Sequence, residues 1–181
     1  MRVFMACSAS DRVPTKYQEL ASTIADNLAE RDHKLLIGGV ATGMMGKCFL
    51  SFKFKDKRVK GIADLSDLDV MKNVEFDAID VANSTFERTK KLYESAQAVI
   101  VLPGGIGTYS EFFSILDEKR TRNDDKPVIL VNYDGFFDDI LHTIKYGNSL
   151  NFISDNDAQL FTVVTNHYEL DDELDKLEGE I

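Results

Sequence analysis

The chain has 181 residues, of which 44% are apolar and 29% are charged, and this composition is typical of a globular domain with a sizeable core. Its formal net charge of −10 argues against general nucleic-acid binding, which needs a basic face. No apolar run approaches the roughly 20 residues of a membrane span, and the first apolar stretch is too short for a signal peptide, so we expect a cytoplasmic protein without a membrane partner.

Apolar, β-branched runs alternate with helical patterns along the chain. The predicted strands are residues 2–7, 33–39, 58–63, 74–81, 96–102, 126–132 and 160–165. The predicted helices carry apolar stripes at Tyr17, Leu20, Ile24 and Leu28, at Phe136, Phe137, Ile140, Leu141 and Ile144, and at Leu170, Leu174 and Leu177, and another helix opens with the capping-box pair Ser84 and Glu87. This alternation predicts an α/β fold, with one Rossmann-like three-layer α/β/α domain over residues 1–181 and a mainly parallel sheet.

Small residues follow three of the predicted strands. The segments are "CSAS" (7–10), "GGVATGMMG" (38–46) and "PGGIGT" (103–108). In open parallel sheets, ligands bind beyond the carboxyl ends of the strands, where helix N-termini present free N–H groups. We therefore expect a binding site where these loops meet.

Two common nucleotide motifs do not fit the second loop. A phosphate-binding P-loop needs a glycine six residues before its lysine and a Ser or Thr after it, whereas Lys47 is preceded at that position by Ala41 and followed by Cys48. A dinucleotide fingerprint is also missing, because no G-x-G-x-x-G is followed by an acidic residue at the usual distance.

The remaining candidate ligands indicate neither a metal nor a cofactor. The three histidines, at positions 33, 142 and 167, are far apart in sequence and form no ligand motif. The two cysteines, Cys7 and Cys48, fall in apolar segments, where a reduced and buried thiol is the usual state in a cytoplasmic protein.

The stretch "PGGIGTYSE" (103–111) has two readings. In the first, Thr108 is a helix N-cap and Glu111 completes a capping box three residues later. In the second, the glycines let the backbone approach an anion at a helix N-terminus. The first reading explains Thr108 and Glu111 but leaves "PGGIG" with more glycine than a cap needs, so the residues alone leave both open.

Residues 103–111 match in full the signature P-G-G-x-G-T-x-x-E of the Lonely Guy (LOG) family, the cytokinin-activating phosphoribohydrolases and their relatives, and the chain resembles this family to about residue 145. Arg88 stands 15 residues before Pro103, the spacing of the family's conserved arginine. The loops at 7–10 and 38–46 and the segment "KPVILVNYDGFFDDIL" are similar to further family motifs.

The resemblance implies hydrolysis of the N-glycosidic bond of a nucleoside 5′-monophosphate such as AMP, giving free base and ribose 5-phosphate. It implies no cofactor and a homodimer, and it makes Arg88 and Glu111 the catalytic residues. We expect Glu111 in the first helical turn, held ionised by the helix N-terminus. The substrate-binding residues it implies are Ser8, Gly39, Gly43, Gly104, Gly105, Ile106, Gly107 and Thr108.

The chain departs from the family pattern mainly away from the phosphate and ribose positions. The changed positions are Val40 and Thr89, Ser110 and Glu118, and the stretch 63–83 lacks the family's proline and glutamate. These changes leave the nucleobase unpredicted.

The sequence leaves two other activities open. One is that of a non-catalytic phospho-ligand binding or carrier protein, and the other is that of a deoxyribosyltransferase-like enzyme with a nucleophilic carboxylate. Lysine decarboxylation, a label often given to relatives, is not expected, because no constellation for pyridoxal phosphate is present. If Arg88 and Glu111 face one cavity, hydrolysis is favoured; if Glu111 only caps its helix, binding is favoured.

Overall fold

The computed structural model describes residues 1–65, 67 and 74–179. Seven strands of this part of the chain form one sheet in the order β4-β3-β2-β1-β5-β6-β7. They are β1 (Arg2–Ala6), β2 (Lys34–Gly38), β3 (Val59–Asp64), β4 (Ala78–Ala82), β5 (Ala98–Val101), β6 (Val128–Val131) and β7 (Thr162–Val164). Every neighbouring pair is parallel, so the sheet predicted as mainly parallel is parallel throughout the described strands.

Helices cover both faces of the sheet. They are α1 (Thr15–Glu30), α2 (Gly43–Phe54), α3 (Thr85–Ser95), α4 (Ile106–Arg122), α5 (Asp138–Ser149), α6 (Asp155–Ala158) and α7 (His167–Gly179), with a 3₁₀ turn at Tyr133–Gly135. One apolar cluster holds α1, α2 and α7 against the sheet, and a second holds α3, α4 and α5 against the other face. The predicted three-layer α/β/α arrangement is confirmed.

The two core clusters follow from the period of two along buried strands. In β1, Val3 and Met5 belong to the first cluster, whereas Phe4 and Ala6 belong to the second. The strands β1, β2, β3, β5 and β6 are buried along most of their length and appear in the sequence as mostly apolar runs, whereas the edge strands β4 and β7 are largely exposed.

Most strand boundaries differ from the predicted ones by one or two residues, and the start of β4 differs most. The run at 74–81 was expected to be a strand from its first residue, but β4 begins at Ala78. Asp77 comes just before it, and its carboxylate accepts the Val59 N–H at 2.8 Å. A side-chain acceptor therefore occupies the edge of β3 where the strand was expected to start.

The strand order fixes where a ligand can enter. The chain moves outward from β1 through β2, β3 and β4, and then returns to the other side of β1 with β5. The loops after β1 and β5 consequently lead to helices on opposite faces, which opens a crevice between the two strand ends. "CSAS" and "PGGIGT" are those two loops.

No helix in the described ranges is both long and apolar enough to cross a bilayer. The same ranges contain no group of three or more His, Cys, Asp or Glu side chains arranged to hold a metal ion.

Candidate functional site

A cavity of about 260 Å³ occupies this crevice. Its described walls come from the ends of four strands and from two helices: residues 7–9 after β1, residues 38–40 at the end of β2 with Met45, Asp67 after β3, Arg88 from α3, and Gly105, Gly107, Thr108 and Glu111 at the start of α4. The carboxyl ends of β1, β2, β3 and β5 therefore meet at one site, as expected for an open parallel sheet.

The "PGGIGT" loop shows that the capping-box interpretation is wrong. Helix α4 begins at Ile106, and its N-cap is Gly105 in an extended conformation. Thr108 is thus the third residue inside the helix, and Glu111 is the sixth, in the second turn. Glu111 bonds to the Arg88 guanidinium, 3.2 Å away, and not to a backbone N–H.

The fold requires glycine at only one of the three glycine positions of this loop. A Cβ at Gly104 would lie 2.1 Å from Thr108 Oγ1, so packing of the Thr108 side chain requires glycine there. A Cβ at Gly105 or Gly107 would meet no atom within 4 Å, and both residues line the cavity. The fold does not explain these two glycines, whereas close approach of a ligand to the backbone does.

Hydrogen bonds tie the loop after β1 to the other loops. The Ser8 N–H donates to the Pro103 carbonyl at 3.3 Å, and the Ser8 carbonyl accepts from the Met45 N–H at 3.2 Å. The Ser8 hydroxyl accepts the Ser10 N–H at 3.1 Å. Ser8 and Gly39, both expected to bind substrate, line the cavity.

Gly43, Gly104 and Ile106 are outside the described lining of the cavity. Gly43 has a positive φ of 55°, and a Cβ there would lie 2.6 Å from the Ser10 carbonyl oxygen. Its N–H donates to Asp11 Oδ1 at 2.8 Å. Gly43 therefore lets α2 begin against the loop after β1. The side chain of Ile106 is exposed to solvent.

Arg88 and Glu111 face the same cavity, although α3 and α4 carry them from different parts of the sequence. Arg88 Nη2 donates to Glu111 Oε1 at 3.2 Å, and Arg88 Nη1 donates to Asp67 Oδ2 at 3.1 Å. The Glu111 side chain is 3% exposed and that of Arg88 is 15% exposed. Arg88 and Glu111 therefore meet in one cavity, and Glu111 does not cap its helix.

The charge state of Glu111 differs from the expectation. The helix N-terminus was expected to hold it ionised, but Glu111 lies beyond the first turn and is buried. Burial raises its pKa to about 7, although the Arg88 charge and hydrogen bond act to lower it. Desolvation of the carboxylate outweighs its ion pair.

Several lining residues were not identified from the sequence, among them Cys7, Val40, Met45 and Asp67. Asp67 follows β3, whose carboxyl end lies at the same edge of the sheet, so the topology could have indicated it. A hydrogen bond with Cys48 and burial raise the pKa of the Cys7 thiol well above its ordinary value. This keeps it protonated, and it is a poor nucleophile. Residues 66 and 68–73 of the divergent stretch 63–83 lie outside the described residues.

Fold and site together define an α/β protein whose crevice, at the reversal of strand order, combines a glycine-rich helix N-terminus with an arginine–carboxylate pair. The family model described as "Possible lysine decarboxylase" matches residues 32–174, and the chain belongs to this family. The described lining of the cavity contains no lysine.

Curated relatives confirm the resemblance to the LOG family. Cytokinin riboside 5′-monophosphate phosphoribohydrolase LOG2 of Arabidopsis thaliana is 28% identical over 167 residues, which are 91% of this chain and 78% of the relative. LOG7 of the same plant is 28% identical over 181 residues, covering 99% and 83%. The rice (Oryza sativa subsp. japonica) enzyme LOG is 28% identical over 156 residues, covering 86% and 64%.

Solved structures with a similar fold include molybdenum cofactor proteins. The molybdenum cofactor carrier protein of Chlamydomonas reinhardtii has a TM-score of 0.68 and 17% identity, with 98% of each chain covered. The molybdenum cofactor binding protein of Rippkaea orientalis has a TM-score of 0.68 and 19% identity, covering 97% of this chain and 94% of that one. At these identities the likeness shows the fold alone.

Proposed function

We propose that this protein hydrolyses the N-glycosidic bond of a nucleoside 5′-monophosphate of the AMP type, releasing the free base and ribose 5-phosphate. The observation that carries the proposal is the convergence of Arg88 and Glu111 on the crevice that the glycine-rich loop lines. The relatives named as phosphoribohydrolases support it, since they match most of the chain.

The start of α4 is the proposed phosphate site. The first four N–H groups of a helix, here those of Gly105 to Thr108, have no partner inside the helix and favour an anion. Gly105 and Gly107 leave the backbone bare on the cavity side. In this arrangement Ile106 contributes through its N–H, while Gly104 and Gly43 contribute by packing the loops that frame the site.

The ribose is then placed beside Arg88 and Glu111. Cleavage of an N-glycosidic bond passes through an oxocarbenium-like state, in which positive charge grows on the sugar, and a carboxylate facing that charge stabilises it. Water adds its oxygen to C1′ as the C1′–N bond breaks, the electron pair of that bond goes to the base, and the base gains a proton. Glu111 accepts the proton that the water loses, and a pKa of about 7 suits this role at neutral pH.

In this proposal the main role of Arg88 is not to bind phosphate. Its two η nitrogens are already engaged by Glu111 and Asp67. We therefore assign Arg88 to holding Glu111 and contacting ribose oxygens, with charge-assisted hydrogen bonds as the means.

A panel of nucleoside 5′-monophosphates, each paired with the nucleoside that lacks the phosphate, tests the proposal. Free base is measured by chromatography and ribose 5-phosphate by a coupled assay. We expect turnover of at least one monophosphate and a much lower kcat/KM for its nucleoside. Tight binding of a monophosphate with no base released would instead support the alternative, a phospho-ligand binding or carrier protein of the same fold.

A homodimer in the cytoplasm completes the proposal. Phe86 on α3 and Ile106 and Phe113 on α4 are exposed apolar side chains on helices beside the crevice, and a second copy could cover them. The two cysteines are free and buried, which fits a reducing compartment. Sedimentation equilibrium tests the dimer: a Phe113→Asp variant should be a monomer under conditions where the parent is dimeric.

A further inference from the structure

The crevice contains a second carboxylate that the proposed mechanism does not use. Asp67 lines the cavity, and its side chain is 21% exposed, whereas that of Glu111 is 3% exposed. Its Oδ2 lies 3.1 Å from Arg88 Nη1, while Glu111 Oε1 lies 3.2 Å from Arg88 Nη2. The guanidinium therefore bridges two carboxylates with two different nitrogens.

A backbone hydrogen bond to the last residue of β3 fixes Asp67 in this position. The Asp67 N–H donates to the Asp64 carbonyl at 3.1 Å. The Asp64 carboxylate accepts from the Thr85 hydroxyl at 3.0 Å, and this links the end of β3 to the first residue of α3. Asp64 Oδ2 is also 4.0 Å from Arg88 Nη1. Arg88 thus faces three carboxylates, two of them from the end of β3.

This arrangement has an electrostatic consequence for Glu111. Arg88 can form a bidentate pair with one carboxylate, and such a pair would neutralise that carboxylate most effectively. Here the guanidinium is shared: Asp67 accepts from Nη1, and Glu111 receives a single charge-assisted bond from Nη2. The negative charge of Asp67 also offsets the positive potential that Arg88 exerts in the cavity.

We propose that Asp67 is a positioning residue: it anchors Arg88 from the β3 side, so that Arg88 orients Glu111 without fully neutralising it. The catalytic part of this inference rests on the proposed function. A Glu111 carboxylate whose negative charge is only partly neutralised by Arg88 can stabilise the positive charge that grows on the sugar.

The charged and titratable groups that face Glu111 determine how a substitution at Asp67 would change the ionisation of Glu111. Arg88 approaches it from α3, Asp64 and Asp67 lie at the end of β3, and Cys7 lies at the end of β1. Thr108, on its own helix, is uncharged. Replacing Asp67 by Asn removes one negative charge and frees Arg88 Nη1, and both effects favour the ionised form of Glu111.

Carboxyl ¹³C NMR tests this without any need for turnover. The Glu111 resonance is assigned by its loss in Glu111→Gln and is then titrated in the parent, in Asp67→Asn and in Asp67→Glu. Asp32→Asn is the matched control, because Asp32 is an exposed aspartate paired with Lys57 far from the cavity. We expect the midpoint in Asp67→Asn to fall by about half a pH unit or more, the scale of losing a nearby like charge. It should stay near the parental midpoint in Asp67→Glu and be unchanged in Asp32→Asn.

An unchanged Glu111 midpoint in Asp67→Asn would overturn the inference, as would an equal shift in Asp32→Asn. If Asp67→Asn does not fold, Asp67→Ser removes the same charge and serves the same test. Where the parent turns over a monophosphate, Asp67→Asn should lower kcat by about tenfold, the scale of impaired general-base catalysis, with KM changed less. A parent without turnover would refute the proposed function alone, because the titration still decides the role of Asp67.

Discussion

Replacement of Glu111 by Gln should change the pH dependence of stability in a way that only a buried, titrating carboxyl can produce. The folded-state pKa of Glu111 is raised from 4.5 to about 7 by burial. The folded protein therefore binds this proton more tightly than the unfolded chain does. The resulting stabilisation is fully present below pH 4.5 and is lost as the pH rises through about 7.

The size of the effect follows from that difference. The two pKa values are 7 − 4.5, or about 2.5 units, apart, and each unit is equivalent to about 1.4 kcal/mol. Ionising Glu111 in the folded state thus costs on the order of 3 kcal/mol. Gln keeps the shape and an oxygen acceptor for Arg88 but never ionises. The stability of Glu111→Gln relative to the parent should therefore rise by about 2 to 3 kcal/mol between pH 5 and pH 8.

Urea unfolding followed by far-UV circular dichroism at pH 5, 6, 7 and 8 measures this difference directly. Glu30→Gln is the control, since it makes the same substitution at an exposed position paired with Lys55 at the surface. A stability difference for Glu111→Gln that is the same at pH 5 and pH 8 would refute the burial argument.

Three further predictions follow from the geometry of the site. Gly105→Val should weaken AMP binding at least about tenfold in calorimetry, because its side chain enters the cavity and not the core; unchanged affinity in a folded variant would contradict the phosphate site. Gly104→Ala should destabilise the protein by about 1 to 3 kcal/mol in urea unfolding, since its Cβ would lie 2.1 Å from Thr108 Oγ1. Gly105→Ala should leave stability almost unchanged, and equal losses in both would exclude this packing explanation. Arg88→Ala should raise the pKa of Glu111 above about 7, because both contributions of Arg88 lower it; an unshifted Glu111 midpoint by NMR would show that the ion pair is not formed in solution.

The fold was largely predictable because its signals are local. The five central strands are buried and appear as mostly apolar runs, and helical stripes such as Leu20, Ile24 and Leu28 mark segments between strands. The strand order is not a local property, because it depends on which side of β1 receives β5. The start of β4 shows that strand boundaries are less predictable: the Asp77 carboxylate accepts the Val59 N–H, and β4 begins only at Ala78, inside the predicted run 74–81.

The site was predictable where the sequence contains a feature that the fold does not need. Gly105 and Gly107 are such residues: the surplus of glycine in "PGGIG" pointed to them, and both line the cavity with no atom within 4 Å of an added Cβ. The spacing of Thr108 and Glu111 was misleading, because it fits a capping box although the helix begins two residues before Thr108. The pKa of Glu111 and the contact between Asp67 and Arg88 depend on burial and on long-range packing, and spacing along the chain does not report either.

A time course of AMP with the parent and with Glu111→Gln, separated by chromatography, tests the central claim most directly. We predict that the parent releases adenine and ribose 5-phosphate in equal amounts. We predict that the variant still binds AMP but releases adenine at least about 100-fold more slowly, the scale of losing one preorganised electrostatic group. A variant that matches the parental rate, or a parent that binds AMP and releases no adenine, would contradict the assignment of Glu111 as the carboxylate that cleaves the glycosidic bond.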